Sequence, residues 1–339
     1  WTSSNPEVAT VDEKTGLVTG ISKGDATIIV TADDFSSNPV SASCEIGVKI
    51  VTPITGMTFT EDAELNQLGY GQEYQIKYTL EPVDATASLL TWTSDNPEVI
   101  SVDKTGKLKV HTTKTASAVI TASYGPVVQN VTVTVADGRF WYSLGNGLGN
   151  GLDNNWYLDG NNASVVSSDG NKTTVQMGGP DSKVKYRGDL WLARSGKGKV
   201  VNITPAEYRY LAVKIGFKSQ LHVGNNSQGC IKLEVFDDGI KKIGPEYWGT
   251  AGDANNRYAI LGTSEISITK PNVLYYDLQA RYKTVTPTDW NQVFDLVQCK
   301  FVIADFPETA QTYDLYWIRS FKSIEELQAF VDSENNTNE

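Results

Sequence analysis

Trp1-Thr2-Ser3-Ser4-Asn5-Pro6-Glu7-Val8 recurs as Trp92-Thr93-Ser94-Asp95-Asn96-Pro97-Glu98-Val99, and this pair of stretches decides the architecture. The register continues outward from both copies. Val11-Asp12 aligns with Val102-Asp103, then Thr15-Gly16 with Thr105-Gly106 after a one-residue deletion. Ile29-Val30-Thr31-Ala32 follows in step with Val119-Ile120-Thr121-Ala122. A period of about 90 residues suits one small β-domain per copy and not a solenoid repeat of about 20 to 50. Residues 26–31 and 118–121 are rich in β-branched side chains, and Val131-Thr132-Val133-Thr134-Val135 alternates with the strand period of two. Asn-Pro, Thr-Gly and Lys-Gly dipeptides punctuate the gaps as turns require. No amphipathic helix is legible before residue 137, so this part reads as antiparallel β-sandwiches.

The W-T-S-x-N-P-E-V segment, the V-D…T-G turn and the upstream Leu80-Glu81-Pro82-Val83-Asp84-Ala85-Thr86 resemble the bacterial immunoglobulin-like repeats of group 2, over roughly residues 1–136. Pro53-Ile54-Thr55-Gly56 reads as the start of the second copy, 39 residues ahead of Trp92. The first copy lacks that stretch, so Trp1 is expected to fall mid-domain with the opening strands upstream. Through Asp137 there are 8 Lys or Arg against 17 Asp or Glu, with no clustered catalytic groups. The repeats therefore read as spacers, and short connections such as Lys49-Ile50-Val51-Thr52-Pro53 imply a semi-rigid rod. Trp1 and Trp92 read as core tryptophans that recur because the fold recurs, in preference to sugar platforms.

Composition narrows the function classes. Of 339 residues, 40% are hydrophobic and 20% charged, which fits folded material. No run of 18 apolar residues exists to span a membrane as a helix. A net charge of −11 opposes nucleic-acid binding, which rests on basic surfaces. Two His and three Cys leave little material for a zinc site. Cys44, Cys230 and Cys299 are an odd set; Cys230 and Cys299 could pair, but buried thiols are the preferred reading.

From Gly138 onward the charges nearly balance, 21 Lys or Arg against 23 Asp or Glu, and aromatics concentrate. Six of eight Trp, twelve of sixteen Tyr and eight of ten Phe lie here, more than a core alone explains. A binding surface is the natural use of the surplus. Strands are predicted over 140–144, 173–177, 190–193, 211–217, 231–236, 264–268, 274–277, 300–304 and 313–318. Helices are predicted over 288–296, capped by Thr288 or Asp289, and over 323–331, where Ser323-Ile324-Glu325-Glu326 has the capping-box pattern. The chain is thus expected to be all-β: a truncated immunoglobulin-like repeat over 1–50, a second over 51–136, and a jelly-roll-like β-sandwich over 137–339.

Tyr313-Asp314-Leu315-Tyr316-Trp317-Ile318-Arg319-Ser320-Phe321, with Tyr210-Leu211-Ala212-Val213-Lys214-Ile215 and Asn255-Asn256-Arg257-Tyr258, is similar to the C-terminal glycan-binding module of Bacteroidetes surface glycan-binding proteins. That resemblance implies a non-catalytic protein of the cell surface, tethered to the outer membrane by an N-terminal lipid anchor absent from this chain. Its ligand would be a polysaccharide or oligosaccharide of hemicellulose type, xylan first. Its partner would be a neighbouring outer-membrane glycan importer. Two other classes stay open: an ancillary binding region of a larger glycoside hydrolase, and a protein-binding adhesin.

The apolar C–H faces of β-linked pyranoses stack on aromatic rings, while their hydroxyls need amide, carboxylate or guanidinium partners. The leading candidates are Tyr247 and Trp248, in a Gly- and Asn-rich loop with Asp253, Asn255, Asn256 and Arg257 close behind. Trp290, at the start of the predicted short helix, Trp156, after an Asn-rich loop, and Trp191, in a strand between Asp189 and Arg194, follow. Trp141 and Trp317 lie in apolar strand patterns and read as core. Catalysis would need two facing carboxylates, one with a raised pKa; Asp237-Asp238 reads instead as a hairpin turn. No cofactor is expected, although Asp153, Asn155 and Asp159 offer oxygens to a structural calcium without matching the twelve-residue loop pattern.

Overall fold

The W…T-G repeat owes its sequence to a packing device that both copies share. In this computed structural model, Gly106 takes φ +82° and a Cβ there would lie 2.6 Å from the Trp92 indole; Gly16, at φ +72°, bears the same relation to Trp1 at 2.7 Å. Only glycine fits a left-handed turn pressed against a ring. The preceding aspartate folds that turn. Asp103 Oδ1 accepts the Thr105 N–H at 2.8 Å and its hydroxyl at 2.7 Å, and Asp12 Oδ1 accepts the same pair from Thr15 at 2.7 and 2.8 Å. Trp92 is buried and stacks on Phe59 with centroids 5.7 Å apart. We expect Gly106→Ala to lower the unfolding free energy by about 2–3 kcal/mol, from left-handed strain plus overpacking. Urea denaturation of the two chains measures it.

The structure describes residues 1–32, 39–159, 162–180, 186–194, 196–197, 199–218, 230–237, 258–280, 289–304 and 311–336. Two compact units are present. The first holds residues 1–58, 78–90 and 124–127. In it, Thr2–Ser3, Gly24–Ala32 and Val40–Val48 form a three-stranded sheet, over a small core of Val8, Ala9 and Ala26.

The second unit holds residues 59–77, 91–123 and 128–339. Its strands used below are β1 (Leu68–Tyr70), β2 (Thr91–Ser94), β3 (Lys107–Val110), β4 (Ala116–Tyr124) and β5 (Val127–Ser143). The compositional boundary at 137 falls inside β5, a single 17-residue strand. It pairs with β4 of the repeat, and near its end Trp141, Tyr142 and Ser143 pair with the C-terminal strand. Gly138, at φ +70°, turns the chain where a Cβ would strike the Thr204 backbone nitrogen at 2.4 Å. Tyr70 and Phe140 meet edge to face at 5.5 Å across this junction, and Arg139 pairs with Glu64 at 2.8 Å. This part of the second repeat therefore shares a core with the C-terminal residues.

The sandwich itself adds β6 (Tyr157–Asp159), β7 (Ser164–Ser168), β8 (Thr173–Gln176), β9 (Asp189–Ala193), β10 (Val201–Ile203), β11 (Tyr210–Phe217), β12 (Cys230–Phe236), β13 (Ala259–Ile260), β14 (Asn272–Asp277), β15 (Phe294–Leu296), β16 (Gln298–Ala304) and β17 (Thr312–Phe321). In one sheet β17 lies between β11 on one side and β5 and β8 on the other, with β14 and β13 beyond β11. The second sheet runs β6-β9-β16-β12. Alternation puts Tyr276, Leu274, Val213 and Ile318 of the first against Phe301, Leu190 and Leu192 of the second, all buried. Rings chain across the gap: Tyr142 to Trp156 at 6.1 Å, Trp156 to Phe301 at 5.3 Å, Phe301 to Tyr276 at 5.6 Å.

Among the described residues the one α-helix is α1 (Ile324–Asn336). It starts where the capping pattern placed it: the Glu326 N–H donates to Ser323 Oγ at 3.2 Å, and Glu326 Oε2 accepts the Lys322 N–H at 2.6 Å. Leu327, Phe330 and Val331 lay α1 over Ala212, Val273, Trp317 and Phe321 on the outer face of the first sheet. Glu334 fastens it there, accepting from Trp317 Nε1 and Lys214 Nζ, each at 3.1 Å. The helix predicted over 288–296 does not form across its described part. Asp289 Oδ1 takes the Asn291 N–H at 2.8 Å in a turn, and Phe294–Leu296 becomes a strand paired with β10. Residues 264–268 are likewise not a strand, because the Asn272 side chain supplies the hydrogen bonds a ladder would: Oδ1 accepts Ser267 N–H at 2.7 Å and Nδ2 donates to Ser267 O at 2.9 Å.

Candidate functional site

The outer face of the β6-β9-β16-β12 sheet carries a row set by register alone. Tyr157 pairs with Trp191, Trp191 with Lys300, and Lys300 with Glu234, one residue from each strand. Cross-strand partners point to the same side. Because Phe301 is in the core, Lys300 and its whole row face outward. The row is graded: Tyr157 and Trp191 are half-buried, while the Lys300 and Glu234 side chains are 13% and 7% exposed.

Charges are arranged around the indole. Lys300 Nζ stands 4.5 Å and Arg194 Cζ 5.0 Å from the Trp191 ring centroid. Arg194 is ion-paired with Asp159, and Glu234 accepts from Lys232 at 2.5 Å and from Lys300 at 2.9 Å. The Trp191 indole N–H is enclosed with no acceptor among the described residues. Burial pushes the Glu234 carboxyl up, but the Lys232 and Lys300 ammoniums outweigh it and hold the group below its ordinary 4.5. Such a group stabilises the fold fully above that ordinary value, and its contribution is lost as pH falls through the lowered one. A Glu234→Gln variant should therefore show a flatter melting-temperature profile than the parent below about pH 4.5, read by circular dichroism.

Other sequence candidates land elsewhere. Tyr247, Trp248, Asp253, Asn255, Asn256 and Arg257 lie outside the described residues. Trp156 is fully buried between Tyr142 and Phe301, so it offers no face to a ligand and is corrected to a core residue. The local cause is strand phase: Tyr157 faces out, so its neighbour faces in. Trp290 is half-buried, its ring 5.9 Å from Phe294. Trp191 is the candidate on the described sheet face. Trp317 is core under α1, whereas Trp141 is only partly buried.

The oxygens nominated for calcium have these partners. Asp153 Oδ1 accepts the Asn155 N–H at 3.2 Å, Asn155 Oδ1 accepts the Trp156 N–H at 2.8 Å, and Asp159 pairs with Arg194. Among the described residues no three His, Cys, Asp or Glu gather to hold a metal. Cys299 carries a free, buried thiol whose pKa burial pushes up to about 12. Register explains why it does not bridge to Cys230: Cys299 pairs with Val235 and Cys230 with Ala304, at opposite ends of the β12–β16 ladder.

Sequence reasoning missed Tyr157, Glu234, Lys300 and Lys232. A signal was present: in Cys230-Ile231-Lys232-Leu233-Glu234-Val235-Phe236 the charges alternate with buried aliphatics, which marks an outward face carrying charge.

Comparison with known proteins places these features. Residues 1–41 match the model of the bacterial Ig-like domain (group 2). An uncharacterized protein of Clostridium acetobutylicum is 29% identical over 123 residues, which are 36% of this chain and 12% of that protein. Thus the chain spans about an eighth of that relative's length. Among solved structures, a carbohydrate-binding module from the beta-sandwich superfamily aligns with TM-score 0.30 and 12% identity, over 78% of this chain and 97% of that one. SGBP-B from a xyloglucan utilization locus of Bacteroides uniformis aligns with TM-score 0.29 and 13% identity, over 93% and 85%. Domains 4 and 5 of the S-layer protein SbsC align with TM-score 0.18 and 21% identity, over 40% and 73%. Residues 147–327, more than half of the chain and nearly the whole sandwich, match the model described as Domain of unknown function (DUF4979), and the chain belongs to that family.

Proposed function

We propose that this chain captures polysaccharide at a cell surface, through the outer face of the β6-β9-β16-β12 sheet, and does not cleave it. The observation that carries the reading is the Tyr157–Trp191–Lys300–Glu234 row. An indole and a phenol lie in line on the face of the sandwich opposite the one α1 covers, with the accessible Arg194–Asp159 ion pair beside the indole, while Lys300 and Glu234 continue the row as an enclosed pair. A pyranose needs both kinds of partner side by side: a ring for its apolar C–H face, and polar forks for its hydroxyls. A shallow row of this kind gives modest affinity, which many surface copies raise by avidity.

Capture is favoured over hydrolysis because a glycosidase needs a proton donor with a raised pKa. Here Glu234 is lowered by two lysines and Asp159 is tied to Arg194; Asp189, which burial raises, is 4% exposed and paired with Arg187, so it is closed off from a glycosidic oxygen. Hemicelluloses, xylan first, are the proposed ligands. An outer-membrane site beside a glycan importer is the proposed location, on the resemblance of the Tyr313–Phe321 and Tyr210–Ile215 segments.

Affinity electrophoresis of the chain through gels containing xylan, xyloglucan, glucomannan and pectin tests this. Retardation by a hemicellulose is expected, without release of reducing sugar. Retardation by no glycan would overturn the reading and leave the protein-binding adhesin; sugar release would overturn the non-catalytic part alone.

A further inference from the structure

Five arginines lie among the described residues, and four of them pair with carboxylates: Arg139 with Glu64, Arg187 with Asp189, Arg194 with Asp159, Arg209 with Asp277. Arg319 is the exception. Its guanidinium carbon stands 4.5 Å from the Trp141 and Phe330 ring centroids and 5.6 Å from that of Trp317. One Nη2 hydrogen bond to Ser143 Oγ, at 3.2 Å, uses a single donor of the five. Its Nε is buried without an acceptor among the described residues. Burial pulls its pKa down to about 10, with Glu334 only partly compensating and Arg139 adding to the fall. A guanidinium held among rings with spare donors is an incomplete anion site.

The rest of that site is present. Arg319 and Trp141 line a cleft of about 400 Å³, whose far wall comes from the second repeat through Lys109 and His111. This volume is typical of small-molecule sites, which span about 300–1,000 Å³. Lys109, on β3, is exposed and makes no ion pair among the described residues. Two carboxylates reach the cleft: Glu73 is ion-paired with Lys107 at 2.5 Å, while Asp153 accepts the N–H of Asn155 and pairs with no cation among the described residues. Burial lowers the His111 pKa, so its ring is neutral and bonds Ser101 at 2.7 Å. Asn146, Asn154 and Asn155 fill out the wall with amides.

We infer that this cleft is a second ligand site, separate from the sheet face, and that it takes a carboxylate-bearing sugar, a uronate unit of an acidic glycan. The carboxylate sits on Arg319 with Lys109 as the second charge, and the amides take the hydroxyls. A neutral sugar would leave the two cations facing only the Asp153 carboxylate in the cleft and the distant help of Glu334.

Calorimetry of the full chain with trigalacturonate, against the same trisaccharide as its methyl ester, decides the matter. Esterification removes the charge and keeps the ring. The acid is expected to bind about tenfold or more tightly than the ester, and Arg319→Gln to lose about tenfold for the acid alone. Lys109→Gln, at an exposed strand position, should weaken the acid several-fold and reduce the salt dependence, which keeps the test decisive if Arg319→Gln fails to fold. Equal affinity for acid and ester, no binding of either, or indifference to both substitutions would overturn the inference. Trp191→Ala should leave trigalacturonate binding intact, so failure of the sheet-face reading and failure of this one are distinguishable.

Discussion

Trp191→Ala is expected to weaken retention on the bound hemicellulose by about tenfold to a hundredfold, the worth of burying about 1.5–3 kcal/mol of ring surface against a sugar. The ring is half-buried on the outer face, so its removal leaves the inner layer of Leu190, Leu192 and Phe301 untouched. The lost contacts to Lys300 and Arg194 cost the fold about 0.5–1 kcal/mol each at such sites, a small shift in unfolding midpoint. Trp191→Phe should keep part of the affinity, since a flat ring remains. Affinity gels run beside thermal melts separate the two effects. Unchanged retention would remove the sheet face as the site. Were Trp248→Ala then to abolish retention, residues 244–256 would supply the platform.

Trp156→Ala is expected to do the reverse, lowering the unfolding free energy by about 3–5 kcal/mol, as a fully buried large ring does when truncated. It removes the link between Tyr142 on one sheet and Phe301 on the other, and leaves a cavity the stiff sheets cannot close. Trp156→Phe should be far milder. It loses volume, but it also deletes an indole N–H that is buried without an acceptor among the described residues. Denaturant unfolding followed by far-ultraviolet dichroism reads both. A loss under about 1 kcal/mol for the alanine variant would mean that Trp156 is not locked in the core.

Trp156 and Trp191 show how far the chain could be read without its fold. Both are tryptophans with polar residues within three positions, and both look like sugar platforms. Leu190-Trp191-Leu192 does carry the answer in its alternation, since two flanking leucines facing in put the indole out. Asn155-Trp156-Tyr157 carries no such answer, because the phase depends on which neighbour joins β6. Trp141 misleads in the other direction: its apolar strand says core, yet it lines a cleft under Arg319. Arg319 itself stands out only when the other described arginines are seen to be paired.

The β-architecture, the paired tryptophan and glycine of each repeat, and the start of α1 are written in neighbouring residues, because turns, alternation and caps are local chemistry. The sheet-face row and the cleft are not, because Tyr157, Trp191, Glu234 and Lys300 come from four separate strands and Lys109 and Arg319 from two domains of the repeat scheme. Strand register, and a β5 that runs unbroken from repeat into sandwich, bring them together; no spacing along the chain encodes that meeting.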